Sequence, residues 1–527
     1  MTLLRVSVEQ PLDECVSSPA AEAEQRERGN RYENEVRCVT VSDRLAGGVG
    51  GPEHLRPLLA TALDALGKGA VQRDGPLPAG GPDAVTRAVA DVGEALPSGG
   101  VGEQQALSEL AEVFTASAVD PADPACAAHL HAPPLAVAVA ADLVASTLNS
   151  SLDSWDQGPS GTVVESSVLR ALAELVGYHP DAATGSITSG GTESNLTGLL
   201  LAREHALGDA AGVAPAASGM RERGPMRVFC SAEAHFSVAR AAGVLGIGED
   251  SVIGVPVDDR HRMDPAALES SIVEAREAGE VPIAVVATAG TTDLGVIDPL
   301  VGIADVAERT GVWLHVDAAY GGGALFSERL TPLLRGVRRA DSVALDLHKL
   351  GWQPVAAGVL LTRDRALFEP LERRVAYLNT EDDEVAGYRG LLGRSLRTTR
   401  RPDAFKIAVT LRALGRDGLG ELVDRCHDLA RHAASHVSAH PRLELYRDPV
   451  LTTVVFRYLP EHGDPDGRNA KLRRRLLDSG RAVVGRTEFG DAVWLKLTVL
   501  NPRATEADIE ALLADVDAAG QKEKATP

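Results

Sequence analysis

The chain has 527 residues, which exceeds the roughly 100 to 200 residues of one average domain and is enough to bury a large core. Its 53 basic and 74 acidic residues leave a net charge of -21, which argues against nucleic acid and against an anionic membrane as partners. The cysteines are odd in number and follow no metal or disulfide spacing, so we expect no metal site and free thiols in a reducing cytoplasm: Cys15, Cys38, Cys126, Cys230 and Cys426.

No apolar run reaches the roughly 18 residues of a membrane-spanning helix, and the start lacks the pattern of a signal peptide. An Ala-rich run, Leu135 to Val144, is interpreted as a core helix instead of a membrane span.

The composition along the chain predicts four regions. They are a flexible extension (1–52), a helical arm broken at Gly75–Pro82 and Pro97–Gly100 (53–125), a large domain (126–405) and a small α+β C-terminal domain (406–527).

A glycine-rich turn follows a short predicted strand, Ile187-Thr188. The turn, Ser189 to Asn195 (SGGTESN), opens the apolar helical run Leu196 to Leu201. Free backbone N–H groups and the positive end of the helix dipole at such a turn suit a phosphate dianion. The turn is therefore a candidate phosphate site, with an ordinary strand-to-helix turn as the alternative.

Short apolar strands alternate with helices between about His129 and Phe368. A helix is predicted at Asp264 to Ala278, and strands are predicted at 228–230, 252–256, 283–288, 312–316 and 343–345. This alternation predicts an α/β fold with a mostly parallel sheet flanked by helices. A ligand should bind at the carboxyl ends of its strands.

Two charged residues follow strands at that edge. Asp317 lies in the run VWLHVDAAY, and Lys349 ends the run Asp346 to Lys349 (DLHK). Burial beside apolar groups such as Leu345 and Trp352 disfavours a lysine cation, which would let Lys349 hold an aldehyde cofactor as an imine. Asp317 suits a pyridine nitrogen, because it keeps the ring protonated as an electron sink. The alternatives are a surface lysine and an aspartate that caps the next turn.

The segment Ser231 to Ser237 (SAEAHFS) supplies a further part of such a site. It offers His235 to stack on a cofactor ring at the substrate face, although a lone histidine is more often structural. Together with the phosphate turn, Asp317 and Lys349, it makes pyridoxal 5'-phosphate the expected cofactor.

The remaining chain predicts a small α+β unit. A helix is expected at Ala404 to Leu414, and strands are expected within Arg442 to Leu459 and Ala482 to Leu500. A final helix, Thr505 to Ala519, opens on an N-cap threonine followed three residues later by Asp508.

These motifs resemble the group II pyridoxal-phosphate-dependent amino acid decarboxylases, which include aromatic amino acid, glutamate, 2,4-diaminobutyrate and siderophore-pathway lysine decarboxylases. The resemblance covers about residues 100–515 and rests on SGGTESN, AHFS, TAGTTDLGVIDP, HVDAAYGGG, DLHK and LTVLNP in that order. Asp317 and Lys349 also have family-like spacing, 349 − 317 = 32 residues. The resemblance implies a fold-type I carboxy-lyase whose large domain binds pyridoxal phosphate.

The resemblance also implies roles for individual residues. Lys349 corresponds to the imine-forming lysine, Asp317 to the partner of the pyridinium, and His235 to the ring-stacking histidine. The other implied cofactor contacts are Gly191, Thr192 and His348 at the phosphate, Thr292 near the ring hydroxyl, and Ala319 against the other face of the ring.

A tyrosine is the implied proton donor. Tyr388 lies 400 − 388 = 12 residues before Arg400, on the segment that forms a mobile loop in this family. The alternative is a plain loop aromatic without a role in proton transfer.

The substrate implied by the resemblance is a basic aliphatic amino acid, namely 2,4-diaminobutyrate, ornithine or lysine. Residues 149–157, which precede 162–165, and residues 395–401 and 494–502 resemble the diaminobutyrate and siderophore-pathway lysine branch, whereas DLHKLGW departs from the usual sequence of that branch. Asp153 or Asp156 would face the distal ammonium, because an unpaired buried cation is costly. Lys496 would meet the α-carboxylate. Alternatively, both aspartates cap a helix at the subunit interface.

The family resemblance finally implies a homodimer whose active site is completed by the partner subunit, with the arm of residues 53–125 wrapping the neighbour. Diamine or siderophore biosynthesis is the expected pathway. The alternatives are an aromatic amino acid decarboxylase, an aldehyde-forming decarboxylase coupled to oxidative deamination by O2, a transaminase, and a non-catalytic cofactor-binding protein.

Overall fold

The structure of the protein, a computed structural model, describes residues 44–211, 215–220 and 224–522. The chain divides into two compact units, Met1–His54 and Leu55–Pro527, and both β-sheets belong to the second. Most of the extension predicted for residues 1–52, including Cys15 and Cys38, lies outside the described residues.

Some helices begin at side-chain caps that the sequence offers. Asp264 accepts a hydrogen bond from the backbone N–H of Ala266, and Thr505 and Asp508 form the predicted capping box. The described residues form fourteen α-helices: α1 Gly51–Arg73, α2 Gly81–Ala90, α3 Glu103–Ser117, α4 Ala136–Leu148, α5 Pro159–Val176, α6 Gly191–Ala211, α7 Pro215–Ser218, α8 Ser237–Val244, α9 Pro265–Glu277, α10 Leu300–Thr310, α11 Glu381–Val385, α12 Ala404–Ala439, α13 Pro465–Asp478 and α14 Glu506–Gln521.

The strands form a seven-stranded and a five-stranded sheet. They are β1 Cys126–Ala127, β2 Thr184–Thr188, β3 Met226–Ser231, β4 Val252–Val255, β5 Val281–Thr288, β6 Trp313–Ala318, β7 Ser342–Asp346, β8 Gly358–Thr362, β9 Leu443–Leu445, β10 Thr453–Tyr458, β11 Val483–Phe489 and β12 Ala492–Thr498.

The larger sheet has the order β2-β8-β7-β6-β5-β3-β4 and is mostly parallel, which confirms the predicted α/β class. Neighbouring strands from β7 to β4 run parallel, whereas β8 is antiparallel to both β2 and β7. Strand β8 was not predicted from the sequence, because a short apolar run such as GVLLT has no periodicity that distinguishes a strand from another buried segment.

Both faces of this sheet are covered. Val285 and Ala287 of β5 belong to one buried cluster, and Ala284 and Val286 belong to a second. Successive side chains of a strand point to opposite faces, so the two clusters lie on opposite sides of the sheet. Because β5, β6 and β7 are neighbouring parallel strands, their carboxyl ends meet at one edge of the sheet.

The smaller sheet has the order β1-β11-β12-β10-β9. It is antiparallel except for β1, whose Cys126 and Ala127 pair in parallel with Val483 and Val484. A two-residue strand leaves no pattern in a sequence, and these residues had been placed at the start of the large domain.

The helix predicted at Ala404 to Leu414 forms the first part of α12. Gly415 adopts φ 65° and ψ -174°, which is not helical, and a second helical stretch follows as far as Ala439. A glycine tolerates this positive φ because it lacks a Cβ. The second stretch was not predicted from the sequence.

Helix α4 corrects the expectation of a core helix. It is buried only through Ala138, Ala141 and Ala145, whereas Val139 and Leu148 are exposed. An alanine face packs inward, and a face of larger apolar side chains stays exposed in the single chain. In the described ranges, no helix is both long and apolar enough to cross a bilayer.

Candidate active site

A cleft of about 430 Å³ opens at the edge where β5, β6 and β7 end. Its lining includes all eight residues predicted to contact the cofactor: Gly191, Thr192, His235, Thr292, Asp317, Ala319, His348 and Lys349. Their nearness follows from the parallel sheet, because the carboxyl ends of its strands lie side by side.

Lys349 has an acidic neighbour that the sequence analysis missed. Its Nζ lies 3.1 Å from Oδ2 of Asp346, and the two side chains are 18 % and 3 % exposed. The apolar neighbours Leu345 and Trp352 are buried as expected. A tight turn after β7 brings Asp346 and Lys349 together, so the amine faces a carboxylate as well as an apolar wall.

Asp317 is held as a hydrogen-bond acceptor. Its Oδ2 accepts a bond of 2.7 Å from Nδ2 of Asn195, and its Oδ1 accepts a bond of 3.1 Å from the backbone N–H of Ala319. The side chain is buried. N–H donors thus hold both oxygens of the Asp317 carboxylate in place.

His235 is half-buried beside Asp317. Burial lowers the pKa of His235, and the nearby charge of Asp317 opposes this effect only partly. Its Nδ1 lies 2.8 Å from Oγ of Ser237, and its ring centroid lies 4.2 Å from that of Phe236. A neutral, oriented imidazole at the cleft suits the predicted stacking role.

The glycine-rich turn leads directly into α6, which begins at Gly191. A Cβ on Gly191 would lie 2.9 Å from Cβ of Ala319, so only glycine keeps the two walls this close. The first N–H groups of a helix have no partner inside the helix. The turn therefore offers backbone donors to a phosphate at the rim of the cleft.

The cleft has polar atoms that suit a bound polar group. Oγ1 of Thr288 and Oδ1 of Asp346 are buried without a hydrogen-bond partner among the described residues, and both residues line the cleft. A phosphate turn, a carboxylate acceptor, a histidine and an amine in one cleft fit pyridoxal phosphate.

Tyr388 and Asp156 do not line this cleft. They line a second one of about 350 Å³, together with Trp155 and Asp383. The two residues predicted to donate a proton and to read the substrate thus lie together, but apart from the cofactor residues of their own chain.

Asp153 is buried, and its Oδ1 accepts a hydrogen bond from the backbone N–H of Ser154. Oδ1 of Asp156 accepts one from Oγ of Ser154. Helix α5 has Gly158 as its N-cap and no side-chain cap. Neither aspartate therefore caps α5, which was the alternative interpretation.

Lys496 lies just behind the cleft wall. Its Nζ donates to the backbone oxygen of Thr292 at 3.1 Å and to Oδ1 of Asp293 at 2.7 Å. Because Asp293 already neutralises this ammonium, a substrate carboxylate would have to compete with Asp293 for it.

The sequence analysis overlooked four polar residues around the site: Asn195, Ser237, His315 and Asp346. One signal was available, because His315 and Asp317 are two residues apart on β6 and therefore point to the same face. The side-chain amide of Asn195 contacts both Asp317 and His315, and no local sequence pattern predicts these contacts.

Comparisons with known proteins agree with this geometry. The family model of the pyridoxal-dependent decarboxylase conserved domain matches residues 90–459. The L-2,4-diaminobutyrate decarboxylase of Rhizobium meliloti (strain 1021) is 44% identical over 437 residues, 82% of this chain and 85% of that protein. The enzyme of the same name from Acinetobacter baumannii is 36% identical over 81% of this chain and 85% of its own.

A solved structure shows the same fold. The crystal structure of the glutamate decarboxylase domain of diaminobutyrate-pyruvate transaminase and L-2,4-diaminobutyrate decarboxylase from Vibrio parahaemolyticus superposes with a TM-score of 0.82. It is 33% identical and covers 91% of this chain and 98% of that one. The fold is therefore that of the fold-type I enzymes, as predicted. The chain belongs to the pyridoxal-dependent decarboxylase family and is a pyridoxal-phosphate-dependent carboxy-lyase.

Proposed function

We propose that this enzyme removes the α-carboxylate of a basic aliphatic L-amino acid as CO2 and releases the corresponding diamine. The favoured substrates are 2,4-diaminobutyrate, ornithine and lysine. The similarity to two relatives named L-2,4-diaminobutyrate decarboxylase, at 44% and 36% identity, carries this proposal. We place the reaction in diamine or siderophore biosynthesis.

In the proposed reaction, Lys349 would hold pyridoxal phosphate covalently through its amine. The bound cofactor would supply an electron sink for the electron pair of the bond between Cα and the departing carboxylate. Asp317, held by Asn195, would pair with the ring nitrogen, and His235, which lines the same cleft, would cover the ring on the substrate side and exclude water. Gly191 and Thr192 would bind the phosphate.

The substrate contacts are proposed for a different part of the molecule. Asp156 would pair with the distal ammonium and Tyr388 would return a proton to Cα. Both residues line the second cleft. Asp153 is a less favoured partner for the ammonium because it is buried. Lys496 would exchange Asp293 for the α-carboxylate.

We further propose a homodimer in which each second cleft completes the partner's cofactor cleft. The arm proposed for residues 53–125 and helix α4 leave large apolar side chains exposed in the single chain, among them Leu110, Phe114, Val139 and Leu148. Phe236, next to His235, is 59% exposed. Apolar faces of this kind are typical of obligate dimer interfaces. Light scattering should give twice the mass of 55.2 kDa, and a fully active monomer would contradict the proposal.

A cytoplasmic location is also proposed. Cys126, Cys230 and Cys426 are free thiols, and the described residues contain no disulfide. A reducing compartment suits such a chain.

The substrate proposal is tested by a panel of amino acids assayed for CO2 release with purified holoenzyme. Diaminobutyrate, ornithine and lysine should exceed tyrosine, DOPA, tryptophan and glutamate in kcat/KM. Faster release from an aromatic amino acid would overturn the proposal. Equal molar yields of amine and CO2 without hydrogen peroxide would exclude the oxidative alternative.

The carboxylate is tested by two matched variants. Asp156→Asn should lose selectivity for diamino acids, because a neutral amide pairs more weakly with the distal ammonium. Asp382→Asn removes an exposed carboxylate from the neighbouring helix α11 and serves as the control. If both variants keep the selectivity of the parent enzyme, Asp156 does not read the substrate.

A further inference from the structure

A continuous run of hydrogen bonds joins the two residues expected to face the cofactor ring. Nδ2 of Asn195 donates to Oδ2 of Asp317 at 2.7 Å and to Oγ of Ser237 at 2.9 Å. Oγ of Ser237 lies 2.8 Å from Nδ1 of His235. Asn195 is 1% exposed and Ser237 is fully buried, so water does not compete for these bonds.

The orientation of the Asn195 amide follows from its neighbours. An ionised carboxylate only accepts hydrogen bonds, so the NH2 group of Asn195 must face Asp317. Its oxygen then faces Nε2 of His315, which lies 2.9 Å away and must be the donor. Nδ1 of His315 is left to accept from the hydroxyl of Ser342, 2.8 Å away.

The hydrogen bonds of Ser342, at the other end of the run, agree with this orientation. Its hydroxyl donates to Nδ1 of His315 and accepts a hydrogen bond of 3.0 Å from the indole N–H of Trp313. Complete burial lowers the pKa of His315 to about 4, an effect that the charge of Asp317 opposes. A neutral His315 with its proton on Nε2 is the form that this arrangement requires.

The hydrogen bonds through Ser237 determine which nitrogen of His235 carries the proton. Because Ser237 accepts from Asn195, its own hydroxyl proton is available for Nδ1 of His235. The backbone N–H of Ser237 also donates to that Nδ1, at 3.3 Å. With Nδ1 accepting two bonds, a neutral His235 carries its proton on Nε2. His235, which lines the cleft, then offers its Nε2–H as a hydrogen-bond donor.

We propose that Asn195 is a positioning residue for both Asp317 and His235. Its amide fixes the carboxylate of Asp317 for the ring nitrogen and, through Ser237, selects the Nε2–H tautomer of His235. One buried amide thus supplies the ring nitrogen with an acceptor and the substrate side with a donor suited to a carboxylate oxygen. Without it, the hydroxyl of Ser237 loses a donor and can accept from Nδ1 of His235 instead of donating to it, so only the longer backbone bond of 3.3 Å still favours the Nε2–H tautomer.

The tautomer can be measured directly on the full-length apoenzyme by nitrogen-15 NMR of labelled histidine. In the parent enzyme, Nε2 of His235 should carry the proton and Nδ1 should not. Asn195→Ala should give a mixture of the two tautomers. It should also weaken pyridoxal phosphate binding by about tenfold or more in a fluorescence titration, since a bond to an ionised group is lost.

Two further variants separate positioning from folding. Thr197→Ala removes a neighbouring buried hydroxyl that is bonded to the backbone oxygen of Glu193 and lies outside the run and outside the phosphate turn, so both readouts should match the parent enzyme. Ser237→Ala keeps the contact between Asn195 and Asp317, and should mix the tautomers while changing cofactor affinity by less than about twofold. This variant also serves if Asn195→Ala does not fold.

Three outcomes would overturn the proposal. They are a proton on Nδ1 of His235 in the parent enzyme, a single unchanged tautomer in both Asn195→Ala and Ser237→Ala, and equal readouts for Asn195→Ala and Thr197→Ala.

Discussion

The ring of Tyr388 meets the ring of Trp155 edge-on, with the centroids 5.0 Å apart and the planes at 76°. This contact joins the segment of Tyr388, the expected proton donor, to the segment that contains Asp156, the expected partner of the substrate's distal ammonium. An aromatic pair of this geometry contributes about 0.5–1.5 kcal/mol beyond area burial. Tyr388 is nevertheless 51% exposed, so its hydroxyl remains accessible to a second chain or to a substrate.

Tyr388→Phe should therefore keep the ring contact and lose only the hydroxyl. We expect CO2 release to continue while the yield of amine falls, because Cα is protonated more slowly. Aldehyde and ammonia should appear in its place, with O2 consumed and hydrogen peroxide released. Chromatography of the products alongside CO2 measurement tests this expectation.

Tyr377→Phe is the matched control, since Tyr377 lines the same second cleft. It should leave the product ratio unchanged. An unchanged amine yield in Tyr388→Phe would assign Tyr388 a purely structural role.

The buried imidazole of His315 predicts a loss of stability in mild acid. Burial holds its pKa at about 4 in the folded chain, below the ordinary value of 6.5. As the pH falls from 7 to 5, the unfolded chain takes up a proton that the folded chain does not. The free energy of unfolding should therefore decrease, by about 2 kcal/mol per chain over this range from this group alone.

The contribution of His315 is isolated by comparison with His315→Gln, which cannot titrate. Urea unfolding of the apoenzyme at pH 7 and pH 5 should show a smaller acid loss in the variant than in the parent. Equal acid losses would contradict a buried neutral His315.

The three described cysteines should be unreactive in the native enzyme. Burial raises the pKa of Cys230 and Cys426 to about 12, and the same effect, supported by Asp123, raises that of Cys126 to about 12. The thiolate is the reactive form, so iodoacetamide at pH 7.5 should leave all three unmodified. Mass mapping checks this, with urea-unfolded protein as the control, in which all three should be labelled. Rapid native labelling of Cys126 would contradict it.

Much of the cofactor cleft could be predicted from the sequence because its residues end apolar strands. Asp317 lies at the end of β6 and Lys349 follows β7, and the apolar runs before them predicted a buried parallel sheet. The hydrogen bonds around them could not be predicted. Asn195 and Asp317 are 122 residues apart, and their contact depends on how α6 packs against the sheet.

The substrate residues were harder to predict for a related reason. Sequence analysis grouped Asp156, Tyr388 and Lys496 with the cofactor residues through the family resemblance. In the single chain, Asp156 and Tyr388 share a separate cleft, and Lys496 is already paired with Asp293. A motif indicates which residues belong to a site, but not which subunit supplies them.

The central claim is that Lys349 holds the cofactor in the cleft that contains Asp317 and His235. Borohydride reduction of the holoenzyme followed by peptide mass mapping tests it most directly. The account predicts one phosphopyridoxyl group per chain on the peptide that contains Lys349. Lys349→Ala should fold, carry no covalent cofactor and lose nearly all activity, while Lys496→Ala should still be labelled at Lys349. A phosphopyridoxyl group on any other lysine, or one retained in Lys349→Ala, would contradict the account.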